Sequence, residues 1–309
     1  MIEAAFVADG GETPRGEVKK GSQISVTFEG SRSKMVAPGE TFWSDPVDLN
    51  LPEGHYLAFT WTITTLTPAK SFPYNTEQLL VTAYDAVGKH ADEETAESFV
   101  PSENSLVLPA FIGYKKKVEH QVVFFGDSIT QGVRTAKDGY EYWVARIADG
   151  LGLHTGVWNI GSGWARAYDA AADQAWLKKA KQGQQIMIAL GVNDIDIGKR
   201  STEQLLADLT RIISLLIESD PAKHIILFTV PPFNFSDEQE LIWRQVNEII
   251  RTNPPIGVSR VFDMAAVLSQ PAPNEHKLRP EYMSNKDDPH PNGLAGTAVS
   301  EAFLKWYRS

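Results

Sequence analysis

The sequence predicts a chain of two parts: an all-β sandwich of jelly-roll type over residues 1–118, and an α/β domain with a parallel sheet over residues 119–309. Three observations predict it. A chain of 309 residues is long for one domain. The stretch up to about residue 118 alternates apolar and polar side chains at period two, without a run at the helical period of 3.6. After Lys115-Lys116-Lys117, short apolar runs alternate with longer amphipathic ones, as expected of parallel strands covered on both faces by helices.

In the first part the strand candidates are ISVTFEG (24–30), YLAFTWTITT (56–65) and QLLVTAYDAV (78–87), separated by turn formers at 52–54 and 68–75. In the second part they are QVVFFG (121–126), TGVWNIG (155–161), QQIMIALG (184–191), HIILFTV (224–230) and SRVFDM (259–264). Helices are predicted near 138–151, 168–182, 201–219, 236–252 and 292–307. In such a sheet the chemistry gathers in the loops beyond the carboxyl ends of the strands. The stretches GDS, GSGW and GVND all fall there.

Composition narrows the function. The chain is 42% hydrophobic, with 8 Trp, 9 Tyr and 14 Phe to build cores, and its formal net charge is −10. That charge repels phosphate backbones and anionic bilayers, so neither nucleic acid nor a membrane is an expected partner. With no cysteine there is no disulfide and no thiolate metal site. The amino terminus lacks a basic start followed by an apolar core, and no stretch reaches the roughly 18 apolar residues of a membrane span, so a cytoplasmic location is expected. His-Glu-x-x-His, EF-hand and P-loop patterns are absent, so no metal and no cofactor is assigned. Nothing in the sequence sets an oligomeric state.

Four clusters carry chemistry. In Gly126-Asp127-Ser128-Ile129-Thr130, Ser128 follows a strand and opens a helix, where serine is a common cap. The same position exposes its hydroxyl at the rim of the sheet and its backbone N–H at a helix start. In Asn159-Ile160-Gly161-Ser162-Gly163-Trp164-Ala165-Arg166, Arg166 stands where a dinucleotide fingerprint needs glycine, which leaves a tight turn with an exposed N–H. In Gly191-Val192-Asn193-Asp194, the Asn193 amide can donate to a charged oxygen, or start an Asx-turn. In Asp287-Asp288-Pro289-His290-Pro291, a proline on each side of His290 puts it on a loop entering the last helix. A carboxylate there can hold one imidazole nitrogen and leave the other as a base. Each cluster alone has an ordinary structural reading. Together, in one order on one kind of sheet, they supply a nucleophile, a base with its orienter, and oxyanion donors, the inventory of acyl transfer.

These blocks resemble those of the SGNH hydrolases, also called GDSL-type esterases and lipases: GDSIT, the glycine of NIGSG, GVND and D-x-x-H. The resemblance covers about residues 119–309 and implies a flavodoxin-like three-layer α/β/α fold. It implies Ser128 as nucleophile, His290 as base and Asp287, three residues before the histidine, as orienter. The adjacent Asp288 is set aside because Pro289 makes it extended, which is expected to aim its side chain away. The oxyanion donors implied are the Ser128 N–H, the N–H of Gly163 (with Gly161 the alternative) and the Asn193 side chain. Trp164 and Arg166, in the same loop, are assigned to substrate binding. A β-sandwich before such a domain is similar to the architecture of several bacterial carbohydrate esterases. The expectation is therefore a serine esterase acting on short-chain, acetyl, esters of a saccharide. The alternatives are a lysophospholipase or thioesterase of the same family, and an inert ligand-binding protein. Trp43, Tyr56 and Trp61 are candidates for a sugar-binding surface on the sandwich, although aromatics usually pack a core.

Overall fold

The computed structural model describes residues 1–65, 80–102 and 112–309, and divides into two compact units, Met1–Lys115 and Lys116–Ser309. The first unit is antiparallel β. Its central strand is β1 (Ile2–Asp9), hydrogen-bonded on one side to β2 (Ile24–Ser25) and on the other to β3 (Leu57–Ile63). Val7 faces both Ile24 and Phe59 in register. A separate ribbon joins β4 (Tyr84–Asp85) to β5 (Val100–Pro101). Strand β1 is absent from the alternation pattern because its buried apolar residues, Ala5 and Ala8, fall on opposite faces and are too small to mark a period. The run at 24–30 keeps only two strand residues, because the chain turns at Glu29 and Gly30, both in left-handed conformation with their N–H groups on Asp45. The expected turn at 68–75 and the first two residues of the expected strand 78–87 lie outside the described residues. Trp61 packs on Phe59, whereas Trp43 is two-thirds exposed.

The second unit holds a five-stranded parallel sheet. Its strands are β6 (His120–Gly126), β7 (Thr155–Asn159), β8 (Gln185–Ala189), β9 (His224–Phe228) and β10 (Val258–Phe262). They lie in the order β10-β9-β8-β6-β7. Counted from the first strand of the domain this is 2-1-3-4-5, the doubly wound flavodoxin-like order, with its switch point between β6 and β8. Each of the three inner strands is buried over four or more consecutive residues, as a sheet covered on both faces requires.

Alternate side chains of these strands point to opposite faces. Val122, Phe124, Met187, Ile226 and Phe228 enter a core with α2 (Trp143–Leu151) and α8 (Gly293–Tyr307). There the Phe303 ring stacks on Phe228 at 5.7 Å and meets Phe262 edge-on at 5.2 Å. The other face buries Val123, Phe125, Ile186 and Ile188. The long helices α6 (Thr202–Ser219) and α7 (Asp237–Thr252) each begin with a capping box, Ser201 with Gln204 and Ser236 with Gln239.

Two expected helices are shorter than the pattern suggests. The run 138–151 turns helical only at Trp143, since Asp138 and Tyr140 adopt positive φ angles of 58° and 47°. The run 168–182 splits into α3 (Ala167–Ala170) and α4 (Ala175–Ala180), parted by Asp173 at φ 54°, whose carboxylate pairs with Lys181. Among the described residues no helix is long and apolar enough to cross a membrane.

Candidate active site

Strand β6 ends at Gly126, and the one-turn helix α1 (Ser128–Gln131) starts at once. The cap of that helix is Asp127, whose Oδ1 accepts the Ile129 N–H at 2.9 Å. Ser128 is the first helical residue, so its hydroxyl is not needed for capping and serves elsewhere. Its Oγ lies 3.0 Å from His290 Nε2, 162 residues further along the chain.

His290 stands on β12 (Asp288–Pro291), a strand paired with β11 (Met283–Asn285), rather than on the expected loop. Strand geometry decides which carboxylate serves it. Residues two apart on a strand share a face, and Asp288 Oδ1 lies 2.6 Å from His290 Nδ1. The same oxygen accepts the His290 backbone N–H at 3.0 Å. Asp287, the expected orienter, is on the turn between the two strands, 80% exposed, and its nearest ionic partner is Lys286 at 3.8 Å. The carboxylate paired with the imidazole is therefore Asp288, not Asp287. The extended backbone that Pro289 imposes brings its side chain to the histidine instead of turning it away. The expectation fails on that point.

Burial alone would raise the pKa of Asp288; hydrogen bonds from the His290 ring, Arg134 and the His290 N–H outweigh it and hold the carboxyl below its usual range. An ionised Asp288 selects the His290 tautomer that carries its proton on Nδ1, leaving Nε2 to accept from Ser128. The imidazole is also fixed by Phe233, whose ring meets it edge-on at 5.1 Å.

The loop after β7 is laced to this strand end. Ile160 N–H donates to the Phe124 carbonyl and Ser162 N–H to that of Gly126, each at 2.9 Å. Gly161 presses on α1: a Cβ there would stand 2.3 Å from Gln131 N and 2.8 Å from the carbonyl carbon of Thr130. Its own N–H is taken by Asn159 Oδ1 at 2.9 Å. Among the described residues no protein acceptor engages the Gly163 N–H, and Trp164 beyond it adopts φ 64° and is 61% exposed. The Arg166 guanidinium closes on Asp169 through two hydrogen bonds of 2.9 and 3.0 Å.

The third cluster is helical: α5 (Val192–Asp196) begins after Gly191, which has φ 132° and no room for a Cβ against Val230. Buried Asn193 directs its Nδ2 to the Ala165 carbonyl at 3.0 Å. That contact fixes the amide orientation and uses one of its two N–H bonds. Asp194 accepts the Ala167 and Tyr168 N–H groups at the start of α3. Burial pushes the Asp194 carboxyl up, and pushes that of fully buried Asp127 up to about 7. These two aspartates stitch the site together and had drawn no separate role from the sequence.

Ser128, His290 and Asp288 thus form one hydrogen-bonded line at the switch point of a doubly wound parallel sheet. The model of the GDSL-like lipase/acylhydrolase family matches residues 124–295, and the chain belongs to that family. Membership places the domain among the carboxylic ester hydrolases. In sequence, an uncharacterised protein of Mycoplasma pneumoniae is 25% identical over 185 residues; the match takes in 57% of this chain and 20% of that one. The chain thus corresponds to about a fifth of the length of that curated relative. Among solved structures, a protein ascribed to the G-D-S-L lipolytic family from Desulfitobacterium hafniense is similar over 60% of this chain and 99% of its own, at 20% identity and TM-score 0.47. A carbohydrate esterase family 3 member from Talaromyces cellulolyticus (61% and 96%, 16% identity, TM-score 0.45) is similar as well. So is the acetylxylan esterase Axe2 of Geobacillus stearothermophilus (61% and 94%, 22% identity, TM-score 0.43).

Proposed function

We propose that the protein hydrolyses short-chain esters, acetyl esters of a saccharide first among them, through an acyl-enzyme on Ser128. The observation that carries this reading is the continuous line Ser128 Oγ, His290 Nε2, His290 Nδ1, Asp288 Oδ1, with heavy-atom distances of 3.0 and 2.6 Å across its two hydrogen bonds. In the proposed reaction His290 takes the Ser128 proton as Oγ bonds to the ester carbonyl carbon. Asp288 balances the imidazolium that results. The negative carbonyl oxygen is received by the Ser128 N–H, the Gly163 N–H and the second N–H of Asn193 Nδ2. His290 then passes its proton to the leaving alcohol. Water, deprotonated by the same imidazole, releases the acyl group and restores Ser128.

Gly163 rather than Gly161 is the donor in this scheme, because the Gly161 N–H is already held by Asn159. A groove of about 910 Å³ between α7 and residues 266–279 contains none of Ser128, Asp288 and His290 and lies apart from this line. A sugar alcohol is supported by exposed Trp164 next to Gly163, since an aromatic face offers apolar area with little loss of freedom.

The test is a series of p-nitrophenyl esters from acetyl to palmitoyl, with acetylated sugars alongside, on wild type and Ser128→Ala. Activity should peak at acetyl and vanish in the variant, whose melting curve stays near that of wild type. A fluorophosphonate should label only the wild type. A well-folded Ser128→Ala protein with full activity would refute the nucleophile, and a peak at long chains would move the substrate to lipids.

A further inference from the structure

We infer that Arg134 is a positioning residue for the triad: its guanidinium holds the outer oxygen of Asp288, so the segment that carries the nucleophile also orients and tunes the base. The inference rests on the proposed roles of Ser128, His290 and Asp288. Asp288 Oδ1 is occupied by the ring and backbone of His290, and Oδ2 accepts Arg134 Nε at 2.9 Å. With both oxygens held, the carboxylate cannot rotate away from the imidazole.

Arg134 lies six residues beyond Ser128, two past Gly132, the cap that follows α1. Its backbone is left-handed, with φ 71°, a conformation uncommon for residues other than glycine. The neighbouring bonds Val133 N–H to the Ser128 carbonyl and Thr135 N–H to that of Gly132 maintain it. Stability does not account for such an arrangement. The arginine side chain is 43% exposed, and ion pairs that open to solvent contribute little to folding. A strained backbone that delivers a charge to a catalytic carboxylate points to the site.

The charge has a direction of effect. Beside the Asp288 carboxylate, the Arg134 guanidinium offsets part of the negative field that acts on the imidazole. Charged side chains nearby make contacts of their own. Lys286 and Asp287 lie beside each other at the hairpin tip, and Glu141 accepts from the Ala136 N–H. The ring packed on His290 from Phe233 is uncharged.

The experiment measures kcat and KM on p-nitrophenyl acetate across pH for wild type, Arg134→Ala and Arg134→Lys, with Ser128→Ala as background. Arg134→Ala should lower kcat about tenfold through loss of one charge-assisted hydrogen bond, with KM little changed. Its acidic limb should move up by about half a pH unit, since a nearby positive charge is gone. Arg134→Lys should return the limb to its wild-type position and restore part of kcat, and it also covers the case in which the alanine variant does not fold. Arg134→Ala with wild-type kcat and an unmoved limb would overturn the inference. So would a loss of kcat with no movement of the limb and no rescue by lysine, which is the mark of a merely structural contact. An inert wild type would instead sink the esterase reading, and this inference with it.

Discussion

Asp287 and Asp288 are neighbours with the same carboxylate, yet only the second reaches His290, because β12 puts residues two apart on one face. Asp288→Asn should therefore lower kcat by up to about ten-thousand-fold, as an amide can hold the wrong tautomer and cannot balance an imidazolium. Asp287→Asn should stay within a few-fold of wild type, as for other exposed positions. Measuring kcat for both decides, and the reverse ranking would return the role to Asp287. Ser128 and His290 were legible in the sequence as candidates because short motifs mark them. The acid was not, since a four-residue strand containing two prolines shows no readable period. Arg134 was invisible for another reason: its partner is 154 residues away, and nothing local announces the pairing.

The elements that place these residues differ in how much of them the sequence displays. The parallel strands were readable because continuous Val, Ile, Leu and Phe runs are what a doubly covered sheet demands. Strand β1, with alanines at its buried positions, and the division between α3 and α4 at Asp173 were not, since each depends on backbone conformation more than on hydrophobicity. Backbone contact also governs the loop after β7. Gly161→Ala forces a methyl against the main chain of α1, so loop or helix has to shift. We expect a loss of about 1–3 kcal/mol in stability, the usual cost of overpacking, and a fall in kcat as the Gly163 N–H moves. Gly163→Ala meets only Gln131 Oε1 at 3.4 Å and should remain close to wild type in melting temperature. Thermal melts of the two variants test this, and equal melting temperatures would show that the loop yields at no cost.

For the molecule as a whole, two carboxylates sealed behind the nucleophile make stability depend on pH. Asp127 is pushed up to about 7 chiefly by burial, with Asp194 adding like charge, from an ordinary value of 3.8. The native state therefore holds a proton that the unfolded chain releases, and this contribution to stability is complete below about pH 4 and is lost as pH rises towards 7. Its size is up to about 4 kcal/mol, from roughly three pKa units at 1.36 kcal/mol each. Asp127→Asn can still accept the Ile129 N–H and does not ionise, so its melting temperature should vary less than that of wild type between pH 4 and 8. Parallel calorimetric curves for the two proteins would show that Asp127 ionises freely in the fold. A β-rich first part and a parallel sheet in the second were already legible in the change of period near residue 118, while the doubly wound order came only with the family resemblance. The hairpin at 283–291 was not, and it governs how the site responds to changes in chain length. Acid and base occupy alternate positions of one strand, so residues added at the tip, between Asn285 and Asp288, lengthen a turn and leave the two on the same side. A single residue added between Asp288 and His290 would put them on opposite sides and part them, which makes the tip a tolerant place for a peptide graft and the next two bonds an intolerant one.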